Sequence, residues 1–465
     1  MDFIKDSALP PSLEHFRLLL FILNLVYVVL LPYLGFLLGT SILSLVYSRR
    51  GEREHNLLYL QFAKDAIDIG LNNKTVVTFL GLVPALSLVF IYAQLLQSTP
   101  AISVSLAGYA FIALLASAIL LYSYRYTAGL ARLLSSYQDL LQKSHDAAGG
   151  KDIAEFALRT EGTHRKSGRY GLLLLCVTVV LTVGALTVAS RPDEWRSIDT
   201  AIALLVSVDF YAKLLQFLSL AAGGTGIGIL FFQLEWEGGR GSLHPEYRAF
   251  VRKVCTTLGF VSLLLQPLLL VVNIMLLPPA ALSGALMGIS GVSILLFFLT
   301  VNLLYAALKE ERPGYISYAF YVLGVALVLV FTADQMAIGN ATRLHSARLA
   351  VVHEKATEAL KAALGVGAPA ARGEDIYNGR CSACHLFDQK KVGPAYKDVI
   401  PKYAGKKAQL IAFVLNPVKV NPAFPPMPNQ GLRPAEADSI ATFLLNKFTA
   451  PQAAQAPSGQ QGEKR

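Results

Sequence analysis

Eight apolar stretches constrain this chain more than any other feature, because a run of about 20 apolar residues matches the ~30 Å hydrocarbon core of a bilayer. They lie near 17–47, 76–97, 101–124, 170–189, 212–233, 254–277, 281–307 and 315–333. The fifth is built differently from the rest. Its leading piece, "IDTAIALLVSV" (198–208), is too short to span, and Asp209 and Lys213 separate it from "LLQFLSLAAGGTGIGILFF". This pattern predicts a helix lying on the membrane surface that leads into a span. With 54% hydrophobic and 15% charged residues, against roughly 25% charged in soluble domains, the chain reads as an all-α polytopic membrane protein with one soluble appendage.

The formal charge of +10 would suggest nucleic acid in a soluble protein. Here the basic residues crowd into short segments between apolar runs, where orientation in the membrane accounts for them, so no nucleic-acid partner is expected. The first fifteen residues carry Lys5 but also Asp2, Asp6 and Glu14, and the apolar run from Phe16 is far longer than a signal-peptide core. No cleaved signal is expected; the first helix directs insertion. Of four cysteines, Cys176 and Cys255 lie in apolar segments and read as inert core thiols, so no disulfide framework is implied.

The other two cysteines stand in "GRCSACHLFDQKKVGPAY", where Cys381, Cys384 and His385 spell CxxCH. Two thiols at this spacing add to the two vinyl groups of a haem, and the adjoining histidine reaches the iron from the same face. Ahead of the motif, "GEDIYNGRC" predicts a short helix ending at the attachment point; after it come Gly393 and Pro394. Met427 sits in the Pro-rich "NPAFPPMPNQG", before a helix predicted from about Pro434 to Phe448. Haem is joined to CxxCH outside the cytoplasm, which puts the C-terminal segment there and, with eight spans, the N-terminus too. Charge supports this independently. The segments 48–75, 125–169, 234–253 and 308–314 hold nineteen Lys or Arg, against three in 1–15, 98–100, 190–211 and 278–280.

The stretch 373–448 closely resembles a class I cytochrome c domain, with GxxxY and CxxCH at its front, GP after them, a methionine in an "MP" loop and a closing amphipathic helix. The resemblance implies one covalent haem c held by Cys381 and Cys384. It makes His385 the proximal and Met427 the distal ligand of the iron, with Pro394 packed near the histidine. With both axial positions filled, such a site suits a carrier rather than a catalyst. Ten Lys or Arg against six Asp or Glu in 373–449 would favour an acidic face on a redox partner protein at the outer surface.

The expected organisation is a transmembrane helical domain (1–335), a juxtamembrane amphipathic helix and linker (336–372), the cytochrome c domain (373–449) and a disordered tail (450–465). None of the other seven histidines, His15, His55, His145, His164, His244, His345 and His353, falls inside a predicted span, so haem b between the spans is not expected. The membrane part nevertheless resembles, in layout, subunit I of cytochrome bd quinol oxidases. The match rests on the long first helix, "LNLVYVVLLPYLGFLLGTSILSLVYSRRG", and on "VDFYAKLLQFLSLAAGGTGIGILFF". Where that family carries haem-binding histidines, this chain has Tyr27 and Gln216, and the family's long quinol-binding loop is reduced to "LLPPAALSG".

Polar residues inside the spans could line an ion or proton path, but Asp209, Lys213 and Asp334 lie near expected span ends, from which they would reach headgroups or water, while Asn24, Gln94, Gln216, Gln266, Asn273 and Asn302 read rather as bonds between helices. "AAGGTGIG" and "SGALMGISG" would permit close helix packing, inside the bundle or against another subunit. The leading expectation is a membrane-bound mono-haem c subunit of a respiratory complex in a bacterial inner membrane, docked to other membrane subunits and passing single electrons at the periplasmic face. The alternatives are a bd-like quinol oxidase or quinol:cytochrome c reductase core, and a transporter or sensor gated by the haem.

Overall fold

In the computed structural model, residues 10–144, 147–198, 200–236, 243–310, 314–363 and 371–449 are described. All regular structure among them is helical. The expected tail, most of the expected linker and the first nine residues lie outside the described residues. The chain divides into two compact units: Leu18–Thr342 with Met1–Ala8, and Arg343–Arg465 with Leu9–Arg17.

The first unit holds the apolar helices: α1 (Leu13–Glu54), α3 (Lys74–Leu95), α4 (Ser103–Ser144), α5 (Ala147–Ala189), α6 (Val208–Glu235), α7 (Pro245–Met275), α8 (Gly284–Glu310) and α9 (Tyr315–Ala341). Each contains an apolar window long enough to cross a bilayer, as expected from the sequence. A ninth, α2 (Leu57–Gly70), lies in the segment expected to be a loop. The Asn56 side chain caps it by accepting from the amides of Leu58 and Tyr59, and Phe62, Ala66 and Ile67 are buried. Helix also continues through most of 125–169. Backbone hydrogen bonding carries on past the apolar boundary, helped by Glu155–Arg159 and Glu161–Arg165 pairs one turn apart.

The surface helix expected over 198–208 is reduced to one turn, Ala201–Leu204, capped by Thr200. The span then begins at Val208, taking Asp209 and Lys213 into α6. Both carry an ion pair that no local sequence pattern announces. Arg191 Nη1 meets Asp209 Oδ2 at 2.8 Å and Lys213 Nζ meets Asp334 Oδ1 at 2.5 Å, with the Lys213 and Asp334 side chains under a fifth exposed. In so little hydrated a setting, removing one partner would leave the other charge uncompensated.

Small residues set the crossing of the central helices. A Cβ at Gly226 of α6 would fall 2.5 Å from the Cys255 carbonyl oxygen and 2.8 Å from the Gly259 nitrogen, so α6 and α7 touch backbone to backbone. "AAGGTGIG" thus serves internal packing. Gly284 and Gly288 of "SGALMGISG" have open space where a Cβ would stand, with no atom of the described residues within 4 Å of it.

The second unit contains α10 (Arg343–Ala363), α11 (Gly373–Ile376, running on as a π turn through Tyr377–Cys381), α12 (Lys407–Leu415) and α13 (Pro434–Thr449). Its core joins Ile376, Tyr377, Tyr396, Leu410, Ile411, Ile440 and Leu444. The amphipathic helix α10 adds Ala347 and Val351 to that core rather than standing apart from it. Lys355 of α10 reaches Asp438 of α13 at 2.7 Å, and the His353 Nδ1 lies 2.6 Å from the Pro10 carbonyl.

Candidate haem centre

The segment that carries the two thiols is set by backbone bonds. The π turn ends at Cys381, whose carbonyl accepts from the amides of Cys384 (3.1 Å) and His385 (2.9 Å), winding CxxCH into a tight loop. Three further bonds lay segment 393–397 against it: Gly393 N to Cys384 O, Tyr396 N to Leu386 O and Lys397 N to Phe387 O, at 2.9–3.0 Å. The Tyr377 hydroxyl donates to the His385 carbonyl at 3.2 Å.

These bonds fix the imidazole. His385 Nδ1 lies 2.9 Å from the Pro394 carbonyl oxygen, which can only accept, so Nδ1 carries the proton and Nε2 bears the lone pair. A Cβ at Gly393 would come within 2.3 Å of His385 Cε1, a place only glycine can hold. On the ring's face, Tyr396 stacks at 4.9 Å between centroids and 7° between planes. Burial pushes the Cys381 thiol up from its ordinary value, partly offset by the Tyr396 hydroxyl and Arg380, and burial raises Tyr396 as well.

Met427 is half-buried in the segment between α12 and α13, which has no helix or strand of its own. That segment is tied down at both sides. Asn429 Nδ2 donates to the Leu415 carbonyl at 3.3 Å, and Arg380 Nη1 donates to the Gln430 carbonyl at 2.7 Å. Gly431, at φ +62°, makes the turn that follows. Two thiols, an imidazole with Nε2 free and a thioether are the donor set a covalent haem requires, and the Gly393 cradle shows that the histidine's place is built into the backbone. The residues therefore fit the group. Reading the sequence singled out Cys381, Cys384, His385, Pro394 and Met427 but missed Tyr396, Asn429 and Arg380. Tyr396 closes the quoted "VGPAY" and Arg380 directly precedes Cys381, so adjacency to the motif was the only available signal.

The family model described as Cytochrome c matches residues 370–447. Cytochrome c-552 of Hydrogenobacter thermophilus is 40% identical over 70 residues, covering 14% of this chain and 70% of that protein. Cytochrome c-551 of Pseudomonas denitrificans is 36% identical over 78 residues, 16% of this chain and 94% of that protein. The chain belongs to the cytochrome c family. Cytochrome c-551 of Pseudomonas aeruginosa, 38% identical over 73 residues, covers 15% of this chain and 70% of its own length. No solved structure matches the chain. Membership brings a covalent haem c and electron transfer to the C-terminal domain, and the eight apolar helices make this a multi-pass membrane cytochrome c.

Proposed function

We propose that this protein is the membrane-bound mono-haem c electron-transfer subunit of a respiratory complex, working at the periplasmic face of a bacterial inner membrane. Cys381 and Cys384 would hold the haem, with His385 and Met427 on the iron. When bound, the haem supplies single-electron transfer. The chain's own residues do the positioning: Pro394 accepts the Nδ1 proton of His385 and so aims Nε2 as ligand, while Arg380 and Asn429 hold the Met427 loop. The observation that carries the reading is the CxxCH loop with His385 Nδ1 bonded to Pro394; with Met427 as second ligand no coordination position would be left open, which favours a carrier. The nineteen-to-three distribution of basic residues supports an outward C-terminal domain. Exposed Lys390, Lys391, Lys397, Lys402 and Lys406 suit a redox partner with an acidic face, whose association would weaken with salt.

Within this proposal, 1–335 forms the scaffold that docks other membrane subunits, 336–372 joins it to the carrier, 373–449 carries the haem and 450–465 is a tail. A pyridine-haemochrome assay on the purified full chain should give one haem c per polypeptide, and stoichiometric haem b would sink the carrier reading. Purification from native membranes should bring down partner subunits that hold further cofactors.

A second reading, a bd-like quinol oxidase or quinol:cytochrome c reductase core, draws on one observation. In α1 and α6, where the likeness to that family places Tyr27 and Gln216, both side chains are buried; Tyr27 bonds the Tyr92 hydroxyl and Gln216 receives Lys213 Nζ at 3.4 Å. Quinol-dependent reduction of the haem by the isolated chain would favour it.

A further inference from the structure

Between α1, α4 and α5 a cleft of about 420 Å³ opens. Arg49 and Glu52 of α1, Tyr124 of α4, and Arg165, Lys166 and Arg169 of α5 line it. All three helices change character there. The apolar run of α1 stops at Tyr47 before "SRRGERE", that of α4 stops before "SYRY", and that of α5 begins after "THRKSGRY". A cleft at this level of three spans lies in the headgroup layer of a bilayer.

Its charge is unbalanced. Arg165 is engaged by Glu161 at 2.7 Å and Glu52 at 3.6 Å. Among the described residues, Arg49, Lys166 and Arg169 pair with no carboxylate, although all three stand exposed around the same hollow. The walls are rigid. His164 stacks on Tyr124 at 4.3 Å, the Tyr124 hydroxyl bonds Ser44 at 3.1 Å, and a Cβ at Gly168 would fall 2.6 Å from the Tyr124 ring. Gly168 thus brings α5 close against the aromatic wall. Tyr170 and Leu45 give the lining an apolar part beside the cations.

We infer that this cleft binds the headgroup of an anionic phospholipid, its phosphate oxygens received by Arg49, Lys166 and Arg169. Guanidinium groups suit phosphate because they donate in parallel pairs, and a basic hollow between spans is a recurrent seat for acidic lipid headgroups. A zwitterionic lipid would bring its own ammonium into a field already positive. The apolar wall favours a lipid over free phosphate, since an acyl chain can follow it. The inference rests on the reading of α1, α4 and α5 as membrane spans, and not on the electron-transfer role.

Native mass spectrometry of the full chain in neutral detergent, with phosphatidylglycerol, phosphatidylcholine or inorganic phosphate added, tests it. The chain should take up one phosphatidylglycerol ahead of phosphatidylcholine, and millimolar phosphate should not displace it. Each cation removed should weaken uptake by about five-fold, so R49Q/R169Q should bind roughly 25-fold less tightly. R159Q, which removes an exposed charge on α5 outside the cleft, should change nothing. Unaltered haem absorbance and tryptophan emission will certify that each variant is folded. Equal uptake of the two lipids, unchanged binding by R49Q/R169Q, or displacement of the lipid by phosphate would each overturn the inference.

Discussion

Gly373→Ala should destabilise the haem-bearing unit severely while leaving the membrane helices untouched. A Cβ at position 373 would meet the Ser439 carbonyl oxygen at 2.4 Å, the Phe443 Cβ at 2.5 Å and the Ser439 carbonyl carbon at 3.0 Å. Ordinary contacts begin near 3.4 Å, so the start of α11 would have to lift from α13 by about an ångström. Two of those three atoms are backbone and cannot rotate away, which places the cost at the upper end of overpacking, about 3 kcal/mol. For a unit of this size that lowers Tm by roughly 12–24 °C. The assay is thermal unfolding of the full chain in detergent followed at the Soret band, which reports this unit alone. Gly379, six residues along the same segment, has open space where its Cβ would be, so G379A should change stability by no more than about 1 kcal/mol. A shift for G373A no larger than that for G379A would refute the contact between α11 and α13.

Three other expectations follow from side chains. Asp334→Asn should cost about 3–5 kcal/mol by stranding the Lys213 ammonium, whereas D334L/K213M should recover most of the loss; emission from Trp195 and Trp236, both in the membrane unit, reads the unfolding. Met427→His should lower the haem midpoint potential by roughly 0.1 V or more, within the ~0.8 V range that axial ligands span, and an unchanged potentiometric titration would remove Met427 from the iron. Burial raises the Asp438 carboxyl, but hydrogen bonds from Lys355 and Lys407 outweigh it and leave the group below its ordinary value. A carboxyl depressed on folding contributes stability that is complete above its unfolded pKa and fades as pH falls through the folded one. The Soret Tm of the wild type should therefore exceed that of D438N at pH 7, and the gap should begin to narrow only below about pH 4, closing as the pH falls through the depressed folded value.

The eight spans were legible because their signal is a length, and length survives ignorance of partners. Helix ends were not, because the apolar run marks where hydrocarbon stops and hydrogen bonding does not stop with it; α1 runs on through "SRRGERE", with Arg50 and Glu54 paired at 3.3 Å. The partners of Lys213 and Arg191 were also hidden. Lys213 meets Asp334 121 residues away, and no local pattern announces such a pair. At the haem centre the reverse held. Cys381, Cys384 and His385 are neighbours in sequence because the chemistry needs them adjacent, whereas Asn429 and Arg380 act through a fold that a motif does not encode.

The distribution of polar groups in the membrane unit bears on which reading of function is stronger. Arg191 links the end of α5 to Asp209 of α6 and to the Leu276 carbonyl at the end of α7, and Lys213 links α6 to α9. Near the other ends, Tyr247 of α7 donates to Asp65 of α2 at 2.7 Å, and Arg125 of α4 meets Asp68 of α2 at 2.7 Å. Each bond joins two different helices, which is how polar groups act when they fix a bundle's geometry. A catalytic core would instead converge its polar groups on one cavity with a substrate's shape. Arg191, Asp209, Lys213 and Asp334 line one hollow, but at about 40 Å³ it falls far below the ~300–1,000 Å³ of a small-molecule site. So small a hollow favours the proposed scaffold that carries an electron-transfer domain over a membrane catalyst with a cytochrome attached.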